Sequence, residues 1–139
     1  MGLIKTEIEL VNSTDFITFD RGLINENEVR RTSVTALVDS GSYMLAINEK
    51  VNSILGLRKL SEQNAELADG SVRLLDIVGP VEINFKNRST SCRAMVLPGE
   101  AEVLLGSIPM EDLDVIIDPK RQIMDVNPDS PNIAKKSLK

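Results

Sequence analysis

The sequence contains no histidine and no tryptophan, and a single cysteine. Without histidine, neither Ser-His-Asp nor Cys-His nucleophilic machinery can be assembled. One cysteine and no histidine cannot furnish the usual zinc ligand sets, so no metal is expected. The lone Cys92 cannot close an intrachain disulfide, which fits a reducing compartment. Aromatic residues make up only 3% of the chain, so the core must come from Leu, Ile, Val, Met and Ala. No apolar run reaches the roughly 18 residues that a membrane-spanning helix needs. Neither a G-x-x-x-x-G-K-[ST] nor a G-x-G-x-x-G loop occurs, so no nucleotide or other cofactor is expected. The opening "MGLIKTEIEL" mixes acids among its apolar residues and is not read as a signal peptide, which makes the cytosol the expected location. "MGLIKT" sets Gly2 and Thr6 in a myristoylation-like frame, a match too short to imply an anchor.

What is present describes an ordinary globular chain. Its 139 residues suit one domain with one core, and 42% are apolar and 27% charged. The formal charge of −5 argues against a nucleic-acid partner. Short basic clusters such as Arg30-Arg31 are not interleaved with aromatics and read as solvated surface.

Strand signals dominate. "IKTEIELVN" (Ile4 to Asn12) alternates with a period of two, as a half-buried strand does. Asn12 to Asp15 reads as a turn, "FITF" as a short strand, and Asp20 to Gly22 as another turn. "NENEVRR" suits one helical turn capped at Asn25, and "SVTALVD" is a β-branched strand. A short apolar run, Tyr43 to Ile47, leads into "NEKVNSILGL", a helix with Asn48 as N-cap and Gly56 as its stop. "ELADGSVRLLD" predicts a hairpin turning at Asp69-Gly70. "VGPVEINF" and "SCRAMVL" are strands joined by a turn at Asn87 to Ser89, and "EVLLGS" is a strand ending at Gly106. "IPMEDLD" predicts a second short helix, and "VIID" and "QIMDV" a last hairpin. The sum is a mainly β fold, a small closed barrel with one or two short helices. Residues 1–126 form the domain, and 127–139 are expected to be a flexible C-terminal tail.

One charge breaks this pattern. In "VTALVDSGSYMLAI", Asp39 ends an apolar strand and is followed by Ser40 and Gly41. Strands disfavour Asp, and an unpaired buried carboxylate is costly. Gly41 permits a tight turn whose amides face the carboxylate, and Ser40 adds a hydroxyl. The plain reading is an Asx-type turn between two strands. Two later features change that. A hairpin with a small-residue tip, Ala68, Asp69, Gly70 and Ser71, follows about thirty positions on, and the apolar pair Leu104-Leu105 with Gly106 leads into the second helix.

Apolar-Asp-Ser-Gly, a glycine-tipped hairpin and apolar-apolar-Gly, in that order, resemble the single-lobe, retropepsin-like aspartic proteases of bacteria and archaea. The resemblance covers roughly Ile4 to Val126. It implies that Asp39 is the catalytic acid or base. Ser40 would brace the site through its hydroxyl, and Gly41 would supply the turn and a backbone donor. The hairpin tip, Ala68 to Ser71, would be a flap closing over an extended peptide, with Leu104, Leu105 and Gly106 supporting the site. The apolar lining is expected from Leu37, Ile47, Leu105 and Ile108. That chemistry needs two carboxylates about 3 Å apart sharing one proton. This chain has one such loop, because "FDRG" (Phe19 to Gly22) places arginine where the hydroxyl belongs. A homodimer pairing Asp39 with Asp39, acting on a peptide or protein, is therefore implied. The flap tip has no aromatic residue, and Tyr43 follows Asp39 too soon to be a flap tyrosine. A domain of the same fold that binds a peptide or partner without cleaving it is the alternative.

Overall fold

The alternation in "IKTEIELVN" becomes β1, Lys5–Asn12, with Ile8 and Leu10 facing inward and Lys5 and Glu7 outward. The structure is a computed structural model describing residues 3–136 and Leu138; Gly2, on which the myristoylation-like frame depends, lies outside the described residues. β1 runs antiparallel to β2 (Arg31–Val38), with Lys5 opposite Leu37 and Val11 opposite Arg31. β2 then runs parallel to β7 (Val103–Leu105), and β7 touches β3 (Leu45–Asn48) at Ala46-Leu104. β3 runs parallel to β6 (Arg88–Leu97), which is antiparallel to β5 (Val72–Phe85). β5 returns to β1, with Leu10 opposite Ile83, and closes a ring of six strands. Closure leaves the barrel without free edges.

β4 (Arg58–Glu66) stands outside the ring and pairs only with the first half of β5. Its residues are almost all exposed, so this hairpin projects from the body. β8 (Val115–Asp118) and β9 (Ile123–Val126) form the separate last hairpin. Among the described residues, three short helices complete the fold: α1 (Ser13–Asp20), α2 (Glu49–Leu55) and α3 (Ser107–Leu113).

The core is aliphatic, as the scarcity of aromatics requires. Leu10, Leu45, Ile47, Leu55, Ile83, Leu105 and Leu113 are fully buried, and Phe85 is the one aromatic in the cluster among the described residues. Each such side chain contributes roughly 1.5–3 kcal/mol by leaving water.

Local signals acted where they were strong. The Asn48 side chain caps α2 by accepting the Val51 amide at 2.9 Å, and Gly56 ends it in the left-handed region at φ 57. Asn25 opens a single 3-10 turn, Glu26–Glu28. One expectation fails at "FITF", which is helical within α1 rather than a strand. Asn12 is 4% exposed; its side-chain oxygen caps the Asp15 amide at 3.0 Å and its amide donates to the Leu55 carbonyl. Asp15 is also clamped by Arg30, at 2.8 Å and 3.0 Å. Phe16 and Ile17 stay partly exposed on this helix, so their strand preference finds no partner strand. The expected "VRLLD" and "VGPVEINF" strands are one strand, β5, whose register with β6 shifts between Val78 and Val81.

The stretch expected to be a free tail makes specific contacts. The Asn87 side chain donates to the carbonyls of Pro131 and Asn132, Arg88 donates to that of Ser130, and Lys136 pairs with Asp112 at 2.8 Å.

Candidate active site

β2 delivers Asp39, and β7 fixes its backbone. The Val38 amide donates to the Ile4 carbonyl at 2.8 Å, and the Asp39 amide to the Leu105 carbonyl at 3.0 Å. The chain then turns tightly: the Gly41 amide donates to Asp39 Oδ1 at 3.0 Å, and the Ser42 amide to the Asp39 carbonyl at 3.1 Å. This is the Asx-type turn expected from the residues, with its carboxylate held by one backbone donor, the Gly41 amide.

The loop is gripped from behind. The amides of Ser107 and Ile108, at the start of α3, donate to the carbonyls of Ser42 (2.7 Å) and Tyr43 (3.1 Å). Gly106 lies directly against the loop. A Cβ there would stand 2.4 Å from the Met44 carbonyl oxygen and 2.6 Å from the Tyr43 carbonyl carbon, both backbone atoms. Only glycine allows that approach. The apolar-apolar-Gly stretch thus works as a brace under the Asp39 turn.

The β4-β5 hairpin supplies the other wall. Its turn is closed by the Leu67 amide donating to the Ser71 carbonyl (2.8 Å) and the Gly70 amide to the Leu67 carbonyl (2.9 Å). Gly70 takes φ 84, a conformation glycine adopts freely. Asp69 serves the turn itself: the Ser71 hydroxyl and amide hold its carboxyl below the usual range. Asp39, Gly41 and Ser42 face Ala65, Leu67 and Ala68 of this hairpin across a cavity of about 600 Å³. Ala46, Met95, Leu97, Pro98, Ala101 and Leu104 line the rest apart from Glu66 on the hairpin, so Asp39 sits in a largely apolar cleft with one other carboxylate.

Asp39 also borders a second cavity of about 390 Å³, on the side of Leu3, Ile117 and Pro119. Ser40 opens to this side, not to the cleft. The structure therefore brings together Asp39, Gly41, Ala68 and Leu104, while Asp69, Gly70 and Ser71 form the exposed tip beyond the cavity. Of the expected lining, Ile47 and Leu105 are core, Leu37 lines the second cavity, and Ile108 points to solvent. Sequence reading missed Ser42, Ala46, Ala65, Glu66, Leu67, Met95, Leu97, Pro98 and Ala101. Ser42 and Leu67 flank the motifs and were within reach. Met95 and Leu97 arrive through the parallel β3-β6 pairing, which has no local signal. Among the described residues, no group of three or more Cys, Asp or Glu is gathered as a metal site. No helix among them is long and apolar enough to cross a membrane.

A closed six-strand barrel with a carboxylate turn, a flap-like hairpin and a glycine brace defines a retropepsin-like fold. The sequence profile of the family described as "Aspartyl protease" matches residues 22–108, more than half of the chain, and the chain belongs to that family. Solved structures agree on the fold. EIAV protease, complexed with the inhibitor HBY-793, is similar with TM-score 0.58 and 18% identity, over 81% of this chain and 88% of its own. The retroviral protease-like domain of Ddi1 from Leishmania major gives TM-score 0.57 and 15% identity, covering 92% and 90%. A retropepsin-like aspartic protease from Rickettsia conorii gives 0.50 and 16%, covering 85% and 90%. No curated protein sequence matches the chain.

Proposed function

We propose that this chain is an aspartic endopeptidase that works as a homodimer, with residues 1–126 as the peptidase domain and the cytosol as its location. The observation that carries the reading is Asp39: one turn-held carboxylate at the junction of an apolar cleft and a second, outward-facing apolar cavity.

Membership of the family supports peptide-bond hydrolysis, and the single Asp-Ser-Gly loop requires a second chain. In the dimer the two Asp39 carboxyls share one proton, because like charges that close cannot both ionise. The ionised one takes a proton from a bound water, whose oxygen attacks the scissile carbonyl carbon. The protonated one gives its proton to the carbonyl oxygen, forming a neutral diol. Collapse of the diol breaks the C–N bond. The Asp39 that took the water's proton gives it to the leaving nitrogen, and the other takes a proton from a diol hydroxyl, so the pair again shares one proton. Gly41 holds Asp39 through its amide, Ser40 faces the second cavity and so the other subunit, and the hairpin closes over an extended peptide by strand-like pairing. Leu3 and Ile117, exposed beside Asp39, give the dimer face its apolar character.

The test is cleavage of an unstructured protein between pH 4 and 7 by wild type and Asp39→Asn. The reading predicts cleavage that the variant loses while keeping its fold. Equal cleavage by both would sink it. The flap tip without an aromatic residue favours a second reading, a dimer that binds peptides without cutting them. Peptide binding with no cleavage by wild type would select that one.

A further inference from the structure

We infer that Asp114 is a positioning residue for Asp39, acting from the far end of α3 by tying the C-terminal segment 127–136 to that helix. The inference rests on the peptidase reading of the Asp39 site.

Asp114 follows α3 directly and takes φ 54, the left-handed region that non-glycine residues rarely occupy. It gathers an unusual number of partners. Oδ1 accepts the Asn127 side-chain amide at 3.0 Å, and Oδ2 accepts the Ser130 hydroxyl and, at 2.8 Å, the Lys135 amide. Its carbonyl accepts the Asn127 amide at 3.1 Å. Arg88, whose side chain is fully buried, lies 3.8 Å from Oδ2 and donates to the Ser130 carbonyl. Two residues back, Asp112 accepts Lys136 at 2.8 Å and the Thr90 hydroxyl.

These contacts do not serve the core. In 127–136 only Ser130 is buried, and the one large apolar residue, Ile133, is 78% exposed. The segment is therefore strapped down by polar bonds to the end of α3 and to Asn87 and Arg88. The other end of α3 carries the amides of Ser107 and Ile108, which hold the Ser42 and Tyr43 carbonyls. A helix of seven residues is a rod about 10 Å long. Held by Met110 and Leu113 in the core, tied at its end by the strap and joined at its start to the Asp39 turn, it fixes where that turn sits. Carboxyls that must share a proton tolerate little misplacement: about 1 Å can cost roughly 100-fold in rate.

The experiment uses the full chain with Asp114→Ala, Asn127→Ala and Asp114→Asn. Asn127→Ala removes one side-chain bond of the strap while leaving Asp114 in place. Asn tolerates the left-handed conformation and keeps one of the two acceptor oxygens, so it is the partial-rescue variant. Amide hydrogen exchange is followed at Ser107 and Ile108, with the β1-β5 pairing as control, and kcat and KM are measured on an unstructured protein. The expected result is faster exchange, by about tenfold or more, at Ser107 and Ile108 in the two Ala variants. Their kcat falls by a similar factor with KM within about threefold, and Asp114→Asn recovers part of both. Unchanged exchange at these amides in the folded variants, or a rise in KM with kcat intact, would overturn the inference. If wild type cleaves nothing, the exchange result still decides the coupling, and the missing cleavage counts against the peptidase reading alone.

Discussion

Replacing Gly106 with alanine is the sharpest probe of the brace under Asp39. Gly106 has φ −85, which any residue adopts, so the backbone itself does not resist the change. Alanine would even gain about 0.4–1 kcal/mol by restricting the unfolded chain. Packing decides the outcome. The new methyl would lie 2.4 Å, 2.6 Å and 2.7 Å from backbone atoms of Met44 and Tyr43. Ordinary carbon contacts lie near 3.5–4.0 Å, so the Tyr43-Met44 peptide must retreat by about 1 Å. That movement strains or breaks the bonds from Ser107 to Ser42 and from Ile108 to Tyr43. Overpacking costs about 1–3 kcal/mol, and two lost hydrogen bonds about 1 kcal/mol each. Net of the entropic gain, Gly106→Ala should lose about 2–4 kcal/mol, a large share of a typical stability of about 5–15 kcal/mol. Urea unfolding measures it: the midpoint should drop by about 1 M or more with the slope unchanged. Cleavage activity should fall well below what the unfolded fraction explains, because the retreating peptide belongs to the Asp39 loop. A variant within about 0.5 kcal/mol of wild type, with full activity, would refute the brace.

Gly41→Ala should behave differently. Its Cβ would meet only Asp39 Oδ1, at 3.3 Å, so stability should change by less than about 1 kcal/mol while the displaced carboxylate lowers kcat; chemical denaturation and kinetics on one preparation compare the two. Acid should loosen the strap. The Ser130 hydroxyl, then the Lys135 and Asn127 amides, hold the Asp114 carboxyl down to about 2, below the ordinary 3.8. A depressed native value means the stabilisation is complete above the unfolded value and is lost as pH falls from about 4 towards 2. Unfolding measured through that window should be less pH-dependent in Asp114→Asn; an identical acid profile would contradict this. Ile117→Lys puts a charge on the face beside Asp39, where Ile117 is 37% exposed. Sedimentation should show weaker self-association with an unchanged fold, and an unaltered association constant would remove that face from the interface.

Much of the fold could be read locally because local chemistry decides it. Asn48 and Gly56 bracket α2, Asp69-Gly70 turns the flap-like hairpin, and the alternation of β1 survives in its burial. α1 could not be read this way. "FITF" carries strand preference, and what overrides it is a buried Asn12 cap and a clamp from Arg30, fifteen residues later. β4 was seen only at its end, because "RKLSEQNAE" is exposed on both faces and shows no apolar period. At the site, Asp39 and Gly41 stand in one short motif and were legible. The cleft walls were not: Met95, Leu97 and Ala101 reach Asp39 through strand pairing and loop return over more than fifty residues. Nor could the strap be foreseen, since a polar, proline-containing stretch reads as a tail until Asp114 and Arg88 are seen holding it.

Subunit mixing tests the central claim most directly. Wild type and Asp39→Asn are combined in equal amounts under conditions where subunits exchange, and cleavage is measured per wild-type chain. If each site is built from one Asp39 of each subunit, about half of the wild-type chains pair with a variant, and activity per wild-type chain should fall to about half. A larger excess of variant should drive it towards zero. Activity per wild-type chain that stays constant at every ratio would mean that one chain carries a whole site, and would contradict the account.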